Sequence, residues 1–173
     1  MLSRSNWLIL GLAVLAGAAG GYMQHRSAPP AAGASMVGQP LPDLALPGLD
    51  GKPHRLSDYR GRRVLLNLWA SWCGPCLREM PELAKIQAKF GDHAPVVVGI
   101  AIDEADRARA YLARHPVNYP ILLGSPGSPD TSSELGNRAG LLPYSVLIDA
   151  DGRILATQAG PIPAARLAQW FGP

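Results

Sequence analysis

Val64-Leu65-Leu66-Asn67-Leu68-Trp69-Ala70-Ser71-Trp72-Cys73-Gly74-Pro75-Cys76-Leu77 is the stretch from which the fold can be read. Val64 to Trp69 is a short apolar run, the pattern of a buried strand. After the cysteines, Leu77, Met80, Leu83, Ala84 and Phe90 recur mostly at three- and four-residue spacing, the pattern of a helix from about Gly74 to Phe90. The chain's two cysteines therefore stand at a strand-to-helix junction. Cys73 falls at the helix N-terminus, where unpaired N–H groups and the macrodipole favour a thiolate. Cys76 lies one turn further in, close enough to close a small disulfide ring. Pro75 is tolerated in the first turn, where its missing N–H has no partner to lose. The pair reads as a dithiol/disulfide switch. A zinc half-site would need a second cysteine pair, and His25, His54, His93 and His115 have no ligand spacing. A purely structural bridge across so short a loop would stabilise little.

Outward from this unit the chain alternates strands and helices, the signature of a parallel βαβ core. Pro81 interrupts the first helix and favours a kink, and Gly91 ends it. Pro95 to Ile102 reads as a second buried strand. Asp103 is placed to cap a helix from about Glu104 to His115, with Ala105, Ala108, Tyr111 and Leu112 on one face. Tyr119 to Leu123 is a further strand and Gly124 to Asp130 a loop. Thr131 with Glu134 fits a capping box for a short helix. Ser145 to Asp149, the turn Ala150-Asp151-Gly152, and Arg153 to Gln158 read as an antiparallel pair. Asp149 and Asp151 have too few following ligands for a calcium loop. Pro163 opens a last helix with Leu167, Trp170 and Phe171 inward and Gly172 as its stop. Ahead of the central unit, Leu44 to Leu46 and His54 to Leu56 flank the turn Gly48 to Gly51 as a short hairpin, and Ser57 to Gly61 is a turn.

The chain has 173 residues and a net charge of +3, with no stretch basic enough to suggest nucleic acid. Arg60, Arg62 and Arg63 cluster around Gly61 as a solvated turn. Arg4 precedes Trp7 to Met23, a run without charge. That length is near the lower limit for spanning a bilayer, about 17–25 residues. It also fits a signal peptide, with Ala16-Gly17-Ala18 as a cleavage site. The apolar character continues past Ala18, which favours an uncleaved anchor. Residues 1–26 are thus expected to be an anchor or signal peptide, 27–36 a flexible Ala/Pro/Gly linker, and 37–173 one exported domain.

WCGPC between a hydrophobic strand and a helix resembles thioredoxin. The wider layout is similar to the TlpA/ResA-type membrane-anchored thiol-disulfide oxidoreductases, over about residues 37 to 172. The opening from Val37 to Trp69, and the added helix and strand before Gly124, carry that resemblance. It implies a thioredoxin fold: a central mixed sheet flanked by helices, with an N-terminal hairpin and a central βα insertion. It implies Cys73 as nucleophile, Cys76 as resolving thiol, and no metal or cofactor. Substrate contacts would come from Trp72, Gly74, Pro75, Leu142 and Pro143. Pro143 matches the proline that follows a cis peptide bond opposite the cysteines, and the Leu142 backbone would pair with a substrate strand; an ordinary strand-entry proline is the other reading. Trp72 would shield the disulfide, or else simply pack in the core. Gly74-Pro75 is thioredoxin's own dipeptide and favours a reductase.

Two positions depart from thioredoxin. Asn67 stands where thioredoxin has a buried aspartate, and an amide accepts no proton at neutral pH. Glu79, one turn beyond Cys76, is similar to a glutamate of ResA-type proteins and is a candidate base or pKa-tuning group; the other reading is an early-helix acid favoured by the dipole. The expected partners are protein disulfides, with apocytochrome c as one class, a transmembrane thiol electron donor, and the membrane through the N-terminal segment. The domain is expected to be monomeric. The expected location is a bacterial inner membrane, single-pass, with the domain in the periplasm or extracytoplasmic space. A peroxiredoxin begins similarly, but needs Thr or Ser three residues before its cysteine, where Cys73 has Ala70. A copper-binding module on the same fold is a further alternative.

Overall fold

The computed structural model describes residues 36–91, 96–127 and 130–171. The expected anchor, the linker to Ser35, Pro95 and the stop at Gly172 lie outside the described residues. Among the described residues no helix is long and apolar enough to cross a membrane.

The elements are β1 (Ala45–Pro47), β2 (Pro53–Arg55), a 3-10 turn (Leu56–Tyr59), β3 (Val64–Trp69), α1 (Gly74–Phe90), β4 (Val96–Ile102), α2 (Ala105–Arg114), β5 (Ile121–Gly124), α3 (Thr131–Glu134), β6 (Tyr144–Ile148), β7 (Ile154–Ala159) and α4 (Ala164–Phe171). β1 and β2 form the antiparallel hairpin. The other strands form one mixed sheet in the order β5-β4-β3-β6-β7. β3, β4 and β5 run parallel, and β6 and β7 antiparallel to their neighbours. This is the thioredoxin fold with its added hairpin and the β4–α2–β5 unit at one edge.

The central strand is buried on both faces, as its unbroken apolar run requires. Its side chains alternate between two cores. Leu65 and Trp69 pack in a layer with Met80 and Leu83 of α1, Ala108 and Leu112 of α2, and Trp170 and Phe171 of α4. Val64, Leu66 and Leu68 face the other way, onto Leu41, Leu46, Leu56 and Leu135. The hairpin is fastened by Asp43, whose carboxylate accepts from Arg55 Nη2 at 2.7 Å, Arg55 Nε at 3.0 Å and Ser57 N at 2.9 Å. Those bonds hold Asp43 down at a pKa of about 2.

β3 and α1 have the expected bounds, and α1 continues through Pro81. Three terminal readings are corrected. Asp103 does not cap α2: the N-cap is Glu104, and Asp103 is engaged elsewhere. Thr131 does not cap α3: Asp130 does, accepting from Ser132 N at 3.0 Å, while Thr131 Oγ1 accepts from Ser125 N at 2.9 Å. Pro163 lies just before α4, and its carbonyl accepts from Arg166 N and Leu167 N. β5 begins at Ile121, so Tyr119 precedes the strand, and β6 and β7 are each displaced by one residue from expectation.

Candidate active site

β3 ends against α1, and the turn between them carries the cysteines. Cys73 is the N-cap of α1, and its Sγ accepts from Cys76 N at 3.3 Å. Cys73 and Cys76 are joined by a disulfide, with Cα atoms 5.3 Å apart. Cys73 retains 5% exposure and Cys76 none. The difference follows from position: Cys73 stands at the N-cap, and Cys76 lies inside the helix against the core. Asp103, at the end of β4, fixes the approach to this turn. Its Oδ2 accepts from Ser71 N at 2.7 Å, and its Oδ1 from Glu104 N at 2.8 Å.

Trp72 is 66% exposed, which overturns its reading as a core side chain. Leu141 is also exposed. The Leu142–Pro143 peptide bond is cis, as the resemblance implies. The loop before it is clamped by Asn137, whose Nδ2 donates to Leu141 O at 2.7 Å and whose Oδ1 accepts from Leu141 N at 3.1 Å. The expected contact residues thus fall on two segments, the α1 start and the clamped loop before β6.

One turn along α1 from Cys76, Glu79 joins a buried polar cluster. Asn67 shares the β3 face of Leu65 and Trp69, and is opposite Ser145 in the register of β6. Its Nδ2 donates to Glu79 Oε2 at 3.0 Å and to Ser145 Oγ at 3.1 Å. The other Glu79 oxygen, Oε1, accepts from Ile162 N at 2.6 Å, which ties α1 to the segment between β7 and α4. Glu79 is only 7% exposed and lies beyond the first turn of α1, so a dipole preference does not account for it. Burial pushes its carboxyl above the ordinary value, against the opposing pull of the Ile162 and Asn67 hydrogen bonds. Burial, with Glu79's charge second, likewise raises the Tyr119 phenol. A cleft of about 390 Å³ between α1 and α4, lined by Pro75, Glu79, Ile86, Pro161, Ile162 and Leu167, reaches Glu79 from outside.

Sequence reasoning missed Asp103 as a turn anchor, Asn137, Ser145 and the Ile162 N–H. For Ser145 a signal was present: Asn67 and Ser145 are the polar residues of two otherwise buried, hydrophobic strands. For the others no local pattern points to the contact.

The arrangement supports thiol–disulfide exchange: a sulfur at a helix start that keeps slight exposure, a sealed partner sulfur, and a carboxyl one turn beyond it. Comparisons agree. The Redoxin family model matches residues 36–169. The thiol-disulfide oxidoreductase ResA of Bacillus cereus is 28% identical over 138 residues, 78% of this chain and 76% of that protein. That of Geobacillus thermodenitrificans is 32% identical over 121 residues, 68% of this chain and 66% of its own length. A crystal structure assigned as a thiol:disulfide interchange protein DsbE from Chlorobium tepidum superposes with a TM-score of 0.68 at 35% identity, covering 77% of this chain and 92% of that one.

Proposed function

The chain belongs to the Redoxin family, as a TlpA/ResA-type thiol-disulfide oxidoreductase with a Cys73–Cys76 pair, and from that premise we propose that it reduces disulfides in extracytoplasmic proteins while tethered to the membrane. The observation that carries the chemistry is the placement of Cys73 as N-cap over a sealed Cys76, with the Glu79 carboxyl behind them. The Cys73 thiolate attacks a substrate disulfide, forms a mixed disulfide and expels one substrate thiolate. Cys76 gives its proton to the Glu79 carboxylate and attacks Cys73 Sγ. The second substrate sulfur leaves as a thiolate, to be protonated by solvent, and the Cys73–Cys76 bond forms. Two electrons from a membrane thiol donor reset the pair. Trp72, next to Cys73 in the chain, offers exposed apolar surface, and the Leu142 backbone receives an extended substrate segment.

The uncharged run Trp7 to Met23 supports the tether and an extracytoplasmic domain at a bacterial inner membrane. The resemblance of the motif and layout to TlpA/ResA-type proteins supports apocytochrome c as one substrate class. Trapping tests the whole reading. In cells, Cys76→Ala should accumulate Cys73-linked mixed disulfides with exported proteins. Capture of cytosolic proteins alone would refute the location, and absence of any mixed disulfide would refute the roles of the two sulfurs.

A further inference from the structure

Asn67 uses one nitrogen for two hydrogen bonds, while its Oδ1, fully buried, accepts none among the described residues. A buried polar atom without a partner is costly, so such an oxygen calls for a physical reason. The reason lies in the group that the other end of the amide meets, the Glu79 carboxyl.

We infer that Asn67 is a two-way partner for Glu79: its amide donates to the carboxylate through Nδ2 and, turned over about its terminal torsion, accepts from the carboxylic acid through Oδ1. This deepens the reading that Glu79 takes the Cys76 proton, and rests on it. Oε1 of Glu79 is held by the Ile162 N–H, which it accepts in either protonation state. A proton taken up by Glu79 therefore sits on Oε2, facing Asn67. With the amide as it stands, that O–H would meet the N–H donors of Nδ2. A half-turn of the amide exchanges Nδ2 and Oδ1, along a torsion that is broad and roughly two-fold. Oδ1 then accepts from the carboxylic acid. Ser145 Oγ, which accepts now, donates instead, because a hydroxyl does both. The turn carries the Nδ2 donors to the side where Oδ1 now has no partner, so one end of the amide is unpartnered in either state while the end that meets Glu79 is always matched. The amide's near-symmetric shape leaves the packing of the buried strand unchanged. An aspartate could not donate to the carboxylate, and an aliphatic side chain could serve neither state. Asn67 is thus a positioning residue that lets a buried carboxyl gain and lose a proton without repacking.

Other groups face Glu79. On its own helix Cys76 lies one turn before it, and Arg78, Glu82, Lys85 and Lys89 line the same cleft. Tyr119 approaches from the segment before β5. The β7–α4 segment and α4 present Pro161, Ile162, Ala164 and Leu167, which carry no charge. In the oxidised protein the cysteines do not titrate, so the test belongs there.

The full chain, oxidised and in detergent, with 15N-labelled asparagine and 13C-labelled glutamate carboxyls, is titrated by NMR from pH 4 to 9. The Asn67 side-chain amide resonances should move with the Glu79 carboxyl carbon and share its midpoint. In Asn67→Leu, which removes the charge-favouring donor, the Glu79 midpoint should rise by about one pH unit or more. Stationary Asn67 resonances while Glu79 titrates, a Glu79 that does not titrate in this range, or an unmoved midpoint in Asn67→Leu would each overturn the inference. If the leucine variant does not fold, the wild-type titration decides alone. Failure of the catalytic reading shows separately, as an unaltered pH profile of mixed-disulfide resolution in Glu79→Gln.

Discussion

Replacing Glu79 by glutamine separates the chemistry of this carboxyl from its structural work. The swap is isosteric. The glutamine oxygen still accepts from Ile162 N, and its amide can donate to the turned-over Asn67. A hydrogen bond to a charged group contributes about 1.5–3 kcal/mol and a neutral one about 0.5–1.5. The exchange at Ile162 therefore loses about 1–1.5 kcal/mol, offset by relief of the cost of burying a charge. The sign of the pH dependence follows from the raised carboxyl. The folded state keeps a proton that the unfolded chain releases, so wild-type stability is fullest below the ordinary value of 4.5 and falls as pH rises towards the raised one. Glu79→Gln should abolish that fall, which denaturant unfolding at stepped pH would measure. On the rate, general-base assistance is typically worth about 10²–10⁴-fold, or about 3–5 kcal/mol of barrier. That exceeds the stability change, so the two effects are separable. Stopped-flow resolution of a mixed disulfide on Cys73, from pH 5 to 9, should show the variant slowed and the wild-type inflection gone. Superimposable profiles would refute the reasoning and leave Glu79 as a fastening for the Ile162 segment.

Three further outcomes are expected. In the reduced protein iodoacetamide should label Cys73 before Cys76, read by peptide mass spectrometry, because only Cys73 faces the helix-start N–H groups and retains exposure; labelling of Cys76 first would reverse their roles. Leu83→Ala, at a fully buried position of α1, should cost about 2–5 kcal/mol in chemical denaturation; a change within experimental error would show that the layer between α1 and the sheet collapses around the gap. Asp43 is held down by Arg55 and Ser57, so its contribution to stability is present above the ordinary 3.8 and is lost as pH falls to about 2; Asn at position 43 should flatten the acid side of the stability profile, and an unchanged slope between pH 4 and 2 would count against the Asp43 bonds.

What was legible in the sequence was what short-range physics decides. An apolar run followed by helical spacing sets β3 and α1, and the junction sets where Cys73 faces. The helix caps were less legible because several side chains compete for one role. Thr131 and Asp130 are adjacent, and the hydroxyl is claimed by Ser125 N, so the carboxylate caps. Asp103 stands at a cap-like position, yet its carboxylate reaches across to Ser71 N, 32 residues away in the chain. Trp72 followed from neither hydropathy nor period, because a turn at the sheet's end, not the sheet, decides its exposure. The polar cluster shows the limit most clearly. Asn67 stood out in the sequence as a departure from thioredoxin's aspartate, and Glu79 as a carboxyl one turn past Cys76. Their meeting depends on the packing of α1 on β3, and Ser145 joins them through a strand register set 78 residues later. Once the three are together, the amide at 67 has a physical reason. An aspartate there would place a second carboxylate about 3 Å from Glu79 Oε2, and two such groups cannot both ionise. With the Glu79 carboxyl one turn along α1, an amide at position 67 lets that carboxyl hold its charge alone.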